Sequence, residues 1–122
     1  MTERADRLAV GSGGWELASW YFMRLSGILL LGLALGHWVI MHVLHGVEAI
    51  DSSFVLNRLA KPIWQVYDWL LLTLALLHGW NGLRIIIDDY VHAPAWRMTL
   101  QSVVSIVVFL AFVVGSVVIW AA

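Results

Sequence analysis

Three long apolar stretches, separated by two short polar breaks, predict three helices that each cross a membrane. The first stretch runs from about Tyr21 to His45, the second from Pro62 to about Asp88, and the third from about Met98 to Trp120. At about 1.5 Å of rise per residue each is long enough to pass a hydrocarbon core of roughly 30 Å. With flanking turns the helices are expected over about 19–46, 62–90 and 97–121, so the fold class is an all-α integral membrane protein. In the first helix Gly32 and Gly36 form a small-xxx-small pair, which favours close contact with another helix. The break at 46–61 carries Glu48, Asp51, Ser52, Ser53, Asn57, Arg58 and Lys61. Asp51 or Ser52 suits the N-cap of a short interfacial helix ending before Pro62, and Pro62 suits the first turn of the second span. The second break is a turn around His92 to Pro94. Residues 1–14 are polar and glycine-bearing and lack the apolar core of a cleavable signal peptide. Residues 1–18 are therefore expected as a loosely ordered tail, with 19–122 as the membrane domain.

Composition reinforces this reading. The chain has 122 residues, of which 61% are hydrophobic and only 12% charged, and its mean hydropathy is +0.85. A formal net charge of -1 offers no basic patch, so no nucleic-acid partner is expected. There is no cysteine, which excludes disulfides, thiolate zinc sites and cysteine-held iron-sulfur clusters within this chain; any metal must sit on histidine or oxygen. Of eight tryptophans, Trp15, Trp20, Trp64, Trp69, Trp96 and Trp120 fall near the ends of apolar runs, where the amphipathic ring suits the headgroups, while Trp38 and Trp80 sit deeper. Three crossings put the amino terminus and the 89–97 turn on one side, with Arg4, Arg7, Arg24, Arg84 and Arg97, against Arg58 and Lys61 on the other. The positive-inside rule assigns the first side to the cytoplasm.

The polar residues inside the spans are where chemistry is expected. His78 lies about ten residues, roughly 15 Å, inside the cytoplasmic end of its helix, near mid-membrane. An ionisable group at that depth needs a partner. Its two readings are a haem iron ligand and a neutral imidazole hydrogen-bonded to a neighbouring helix. Gly79 and Gly82 beside it remove bulk where a flat ligand or another helix can approach. Asp89 lies only about 20° round the helix from His78 and roughly 17 Å further along, so one face carries both a deep ligand and a titratable cluster, Asp88-Asp89-Tyr90, at the boundary. A phenol can hydrogen-bond a quinone carbonyl and a carboxylate can relay protons; the alternative is an acidic helix end in water. His37 lies about 16 residues from the cytoplasmic entry, at a different depth from His78, and fits a second haem nearer the outer face better than a shared one. His42 competes for that role, and His42 and His45 approach the outer headgroups. Ser26 falls within about 20° of His37; it is a weak candidate for quinone contact, set against a hydroxyl bonded back to its own helix. Arg24 suits a haem propionate or a lipid phosphate, and Arg84, about four residues inside the exit, is placed to snorkel to the surface. The third span carries no ionisable residue and is expected to pack or to face lipid.

Phe22-Met-Arg-Leu-Ser-Gly27 opening the first span, and His78 followed after ten residues by Asp89-Tyr90, resemble the small membrane-anchor subunit of the succinate dehydrogenase and fumarate reductase family. The resemblance covers nearly the whole chain. It implies that His78 is an axial ligand of haem b, that Tyr90 hydrogen-bonds a quinone with Asp89 beside it, and that Arg24 lies near the haem propionates. His37 resembles a ligand found in two-haem members, which leaves the count at one haem or two. The resemblance also implies a bundle shared with a second hydrophobic anchor subunit, a cytochrome b supplying the opposite haem ligand. An iron-sulfur subunit and a flavoprotein subunit would carry the clusters and FAD, and the complex would sit among the lipids of the cytoplasmic (inner) membrane. The rivals are a haem b subunit of another quinone-linked dehydrogenase and a small multispan transporter, in which Asp68, Arg84 and His78 would line a polar path.

Overall fold

The computed structural model describes the backbone from Thr2 and the side chains from Gly14 onward. Four α-helices make up the fold: α1 Thr2–Trp38, α2 Ser52–Leu59, α3 Pro62–Tyr90 and α4 Pro94–Ala121. Three segments are long and apolar enough to cross a membrane, Gly14–Leu44, Pro62–Tyr90 and Pro94–Ala121, and among the described residues there is no strand. The expected class and the number of spans are therefore those observed.

Two boundaries differ from the sequence reading. Helix α1 already begins at Thr2 and runs through the residues expected as a loose tail; Glu3 to Ala9 are rich in good helix formers and extend a helix that the span has nucleated. The side chains of Arg4 and Arg7 lie outside the described residues. Helix α4 starts at Pro94, not near 97, because proline at the first helical position lacks only an N–H that has no partner there anyway. At its other end α1 passes into a π-helical stretch, Val39–Leu44, and the chain turns at Gly46, whose φ of 71° suits glycine. The short interfacial helix is present as α2, capped by Asp51, whose Oδ1 accepts from Phe54 N–H at 2.8 Å and from the Ser53 hydroxyl at 2.7 Å. Those two donors, Ser53 first, hold the Asp51 carboxyl below its ordinary value.

Helix α3 is the central element. It packs against α1 on one side and α4 on the other, while α1 and α4 barely meet. The contacts have the character of a bilayer protein. The side chains withdrawn from the surface include Ser19, Ser26, Arg58 and Asn81 as well as Leu59, Ile87 and Ile119, and large apolar residues cover the outside. Lipid offers no reason to hide leucine, but it cannot satisfy a hydroxyl or an amide. Thus α4, though free of ionisable residues within the membrane, is stitched to α3 by hydrogen bonds: Trp69 Nε1 donates to Ser116 Oγ at 3.0 Å and Trp80 Nε1 to Ser105 Oγ at 2.9 Å. Gly36, one half of the expected small-residue pair, does sit at a close approach. A Cβ there would lie 2.7 Å from the Tyr67 hydroxyl, which donates to the Leu33 carbonyl. Gly32 meets open space instead.

Candidate functional site

Helices α1 and α3 run antiparallel, so going down one is going up the other: Met23 meets Gly82, Gly27 meets His78, Gly36 meets Tyr67 and His37 meets Asp68. This register brings His78 against the α1 face bearing Ser26. His78 Nδ1 lies 2.8 Å from Ser26 Oγ, and Ser26, only 2% exposed, also donates to the Met23 carbonyl at 3.4 Å. A Cβ on Gly27 would touch His78 Cε1 at an ordinary 3.5 Å, so the imidazole edge lies against α1. Gly79 on the same helix meets nothing within 4 Å.

One turn along α3 from His78 comes a polar network that the sequence reading did not assemble. Asn81, 4% exposed, donates to Ser19 Oγ at 2.8 Å, and Ser19, 7% exposed, donates back to Asn81 Oδ1 at 3.2 Å. Arg84 donates to Asn81 Oδ1 through Nε and Nη2, each at 3.3 Å. Its Nη1 reaches Asp88 at 3.5 Å and Glu16 at 3.8 Å. Gln101 on α4 donates to Asp88 Oδ1 at 2.6 Å. Arg84 is thus the hub of a network joining all three spans, which answers whether it snorkels. The signal was present: Asn81, Arg84 and Asp88 follow His78 at intervals of three and four, one helical flank. The partners Ser19 and Gln101 lie on other helices, where periodicity cannot reach.

Asp88 turns inward, whereas Asp89 and Tyr90 face outward at the end of α3, Tyr90 being 80% exposed. Arg24 is exposed and stacks its guanidinium over Trp20 at 4.1 Å. It borders an open cavity of about 510 Å³ shared with Glu16, Ser19, Met23 and Ile85. Arg24, Asp89 and Tyr90 thus lie at the surface of the chain, on the same end as the Arg84 network.

The other end of the bundle holds a charged cluster. Arg58 of α2, with a side chain 6% exposed, donates to Asp68 Oδ1 at 2.6 Å from Nη2 and to Oδ2 at 3.4 Å from Nε, and stacks over Trp64 at 4.4 Å. Asp68, 18% exposed, is thus half of a largely withdrawn ion pair. His37 Nδ1 stands 3.6 Å from Asp68 Oδ1, and this nitrogen is buried without a hydrogen bond. His42 is exposed on the π-helical turn, its Nδ1 3.2 Å from the Trp38 carbonyl and its ring stacked on Trp38; His45 Nδ1 is 2.7 Å from the Ile40 carbonyl. Asp68 and His78 are ten residues apart on α3, so the two histidine sites are separated by roughly 15 Å along the bundle; they lie at different depths, as the sequence led us to expect, but further apart than the roughly 9 Å that counting residues from the span ends gives.

These residues can be tested against the metal chemistry the sequence suggested. Among the described residues no three His, Asp or Glu side chains gather to hold a metal ion by themselves. A haem asks less of one chain, namely one anchored imidazole with its second nitrogen free. His78, held through Nδ1 and flanked by glycines, fits.

The fold and the site define a class: a small multi-pass membrane protein whose polar side chains are gathered between its helices around a histidine midway along the central one. The chain belongs to the succinate dehydrogenase/fumarate reductase transmembrane subunit family, whose pattern its residues 2–115 match. It is similar to proteins named succinate dehydrogenase hydrophobic membrane anchor subunit. The one from Rickettsia felis is 32% identical over 99 residues, covering 79% of this chain and 80% of that protein. The one from Rickettsia conorii is 31% identical over 99 residues, covering 79% and 77%. The one from Archaeoglobus fulgidus is 26% identical over 100 residues, covering 82% and 85%.

Proposed function

We propose that this chain anchors a succinate:quinone oxidoreductase, respiratory complex II, in the cytoplasmic membrane. In this reading it holds haem b on His78 and lends Tyr90 and Asp89 to the quinone site. The observation that carries the proposal is the His78 geometry: midway along α3, Nδ1 is engaged by a buried hydroxyl, which leaves the other nitrogen for a ligand. Haem b bound there supplies a one-electron store between iron-sulfur centres and quinone. In this reading a second hydrophobic subunit would supply a further haem ligand, and iron-sulfur and flavoprotein subunits would carry the clusters and FAD. His37 is the candidate ligand of a second haem, because it stands between α1 and α3 beside a carboxylate, the usual orienting group of a ligating imidazole.

Quinone reduction consumes two protons with two electrons. Tyr90 is suited to hydrogen-bond a quinone carbonyl, and Asp89 next to it to pass a proton from solvent, since both are exposed at the end of α3. The excess of arginine at this end supports a cytoplasmic amino terminus and a cytoplasmic quinone site. Arg24, exposed at the same end, is placed to meet a haem propionate or a lipid phosphate.

The test is the reduced-minus-oxidised optical spectrum of the purified complex, with His78→Leu and His37→Leu beside the wild type. Loss of one b-type signal in the first variant supports the assignment, and loss of a separate signal in the second supports two haems. A wild type without haem, or an unchanged spectrum in His78→Leu, overturns it. Tyr90→Phe is expected to keep the spectrum while lowering quinone reduction; an unaltered rate removes Tyr90 from the quinone site.

A further inference from the structure

We infer that Ser26 is the positioning residue of His78, fixing which ring nitrogen is left free and how strongly it binds iron. The inference rests on the haem reading of His78. Three atoms stand in sequence: His78 Nδ1, Ser26 Oγ at 2.8 Å from it, and the Met23 carbonyl oxygen at 3.4 Å from Oγ. A carbonyl can only accept, and a serine hydroxyl has one proton to give. With that proton directed at Met23, the bond between the ring and Oγ is completed by Nδ1–H donating to the hydroxyl. Nε2 then carries the lone pair. The opposite order, with the hydroxyl donating to Nδ1, gives up the bond to Met23 and protonates the nitrogen that a metal needs.

The surroundings favour the first order. Ser26 is 2% exposed, so no bulk water competes for its hydroxyl. The ring edge lies beside Gly27 of α1, where an added Cβ would meet Cε1 at an ordinary 3.5 Å, in reach of the hydroxyl. An acceptor on Nδ1–H raises the basicity of the ligating nitrogen, and loss of such a partner commonly weakens metal binding about 10–100-fold. Ser26 therefore acts on haem through His78 and has no spare proton to donate to a quinone carbonyl.

The test compares the purified complex with its Ser26→Ala, Ser26→Thr and His78→Leu variants, reading haem transfer to an excess of apomyoglobin and the haem midpoint potential. Ser26→Ala is expected to release haem about tenfold faster and to raise the potential, because a less basic ligand stabilises ferric iron less. Ser26→Thr, which keeps the hydroxyl, is expected to return both toward wild type. Wild-type release and potential in Ser26→Ala, with haem lost in His78→Leu, would overturn the positioning role alone. Haem retained in His78→Leu would overturn the reading beneath it. If Ser26→Ala does not assemble, Ser26→Cys keeps the volume with a weaker acceptor, and its potential must rise; an unshifted value overturns the proposal.

Discussion

The two ends of the α1–α3 interface treat a buried polar group in opposite ways. At the end near the α3–α4 turn, His78 faces a neutral hydroxyl and the adjoining Ser19–Asn81 pair is neutral, with Arg84 reaching two carboxylates at 3.5 and 3.8 Å. At the end near α2, Arg58 and Asp68 form a short ion pair at 2.6 Å, and His37 stands 3.6 Å from a carboxylate oxygen already taken by the arginine. The first end spreads its charge over a network with solvated acids; the second concentrates it in one withdrawn pair. A network with several partners per charge loses less when one neutral member is removed, about the cost of one buried group left without its partner. A buried pair loses much, because the survivor keeps a charge it cannot solvate.

The largest effect should therefore come from Asp68→Asn. It leaves the Arg58 guanidinium, 6% exposed, without its counter-charge. We expect a loss of about 3 kcal/mol, read as a lower thermal midpoint of the detergent-solubilised protein. Replacing both partners, with Arg58→Met and Asp68→Leu together, should recover most of that loss, since removing a matched pair is often close to neutral. If the single and the double variants are equally destabilised, the pair contributes through its shape rather than its charge and the contrast between the two ends collapses.

The end with the Arg84 network should be more forgiving. Asn81→Leu removes the hydrogen bonds to Ser19 and Arg84, but leaves Arg84 within reach of Glu16 and Asp88. The expected cost is about 1–2 kcal/mol, the penalty for a buried hydroxyl without its partner. A thermal shift as large as that of Asp68→Asn would mean that Arg84 depends on Asn81 and not on the acids.

The comparison also shows what one sequence can and cannot disclose. The spans, Pro62 at the head of α3 and the difference in depth between His37 and His78 follow from hydropathy and from rise per residue, and the structure has them. Who meets whom does not follow. Periodicity puts Ser26 and His37 on one face of α1, and His78 and Asp89 near one face of α3, but the offset between two antiparallel helices is set by packing such as Gly36 against Tyr67. Hence His78 with Ser26, Asn81 with Ser19, and Asp68 with Arg58 across a loop were out of reach, while Asp51 as a cap, which needs only its own next three residues, was legible. The start of α1 was missed because charge and glycine within residues 2–14 read as a break in hydropathy, though helix formation does not require an apolar face.

The smallest effect tests how the charged end is mounted. Arg58 sits in the last turn of α2, an eight-residue helix too short to persist without its cap and its packing. Asp51 supplies that cap, and its carboxyl is held below its ordinary value by the Ser53 hydroxyl and the Phe54 N–H. A depressed carboxylate stabilises the folded form at every pH above its unfolded value and loses that contribution as pH falls through the lower folded value. Amide exchange at Ser53 and Phe54, extrapolated to a common intrinsic rate, should therefore be flat from neutral pH down to about pH 4 and rise only in stronger acid, below the ordinary carboxylate value of about 3.9. Asp51→Ala should show the faster exchange at all pH values, with the Arg58–Asp68 pair still formed. If Asp51→Ala instead reproduces the thermal loss of Asp68→Asn, then the cap is what keeps Arg58 in place, and the ion pair is a consequence of α2 rather than the reason it stays.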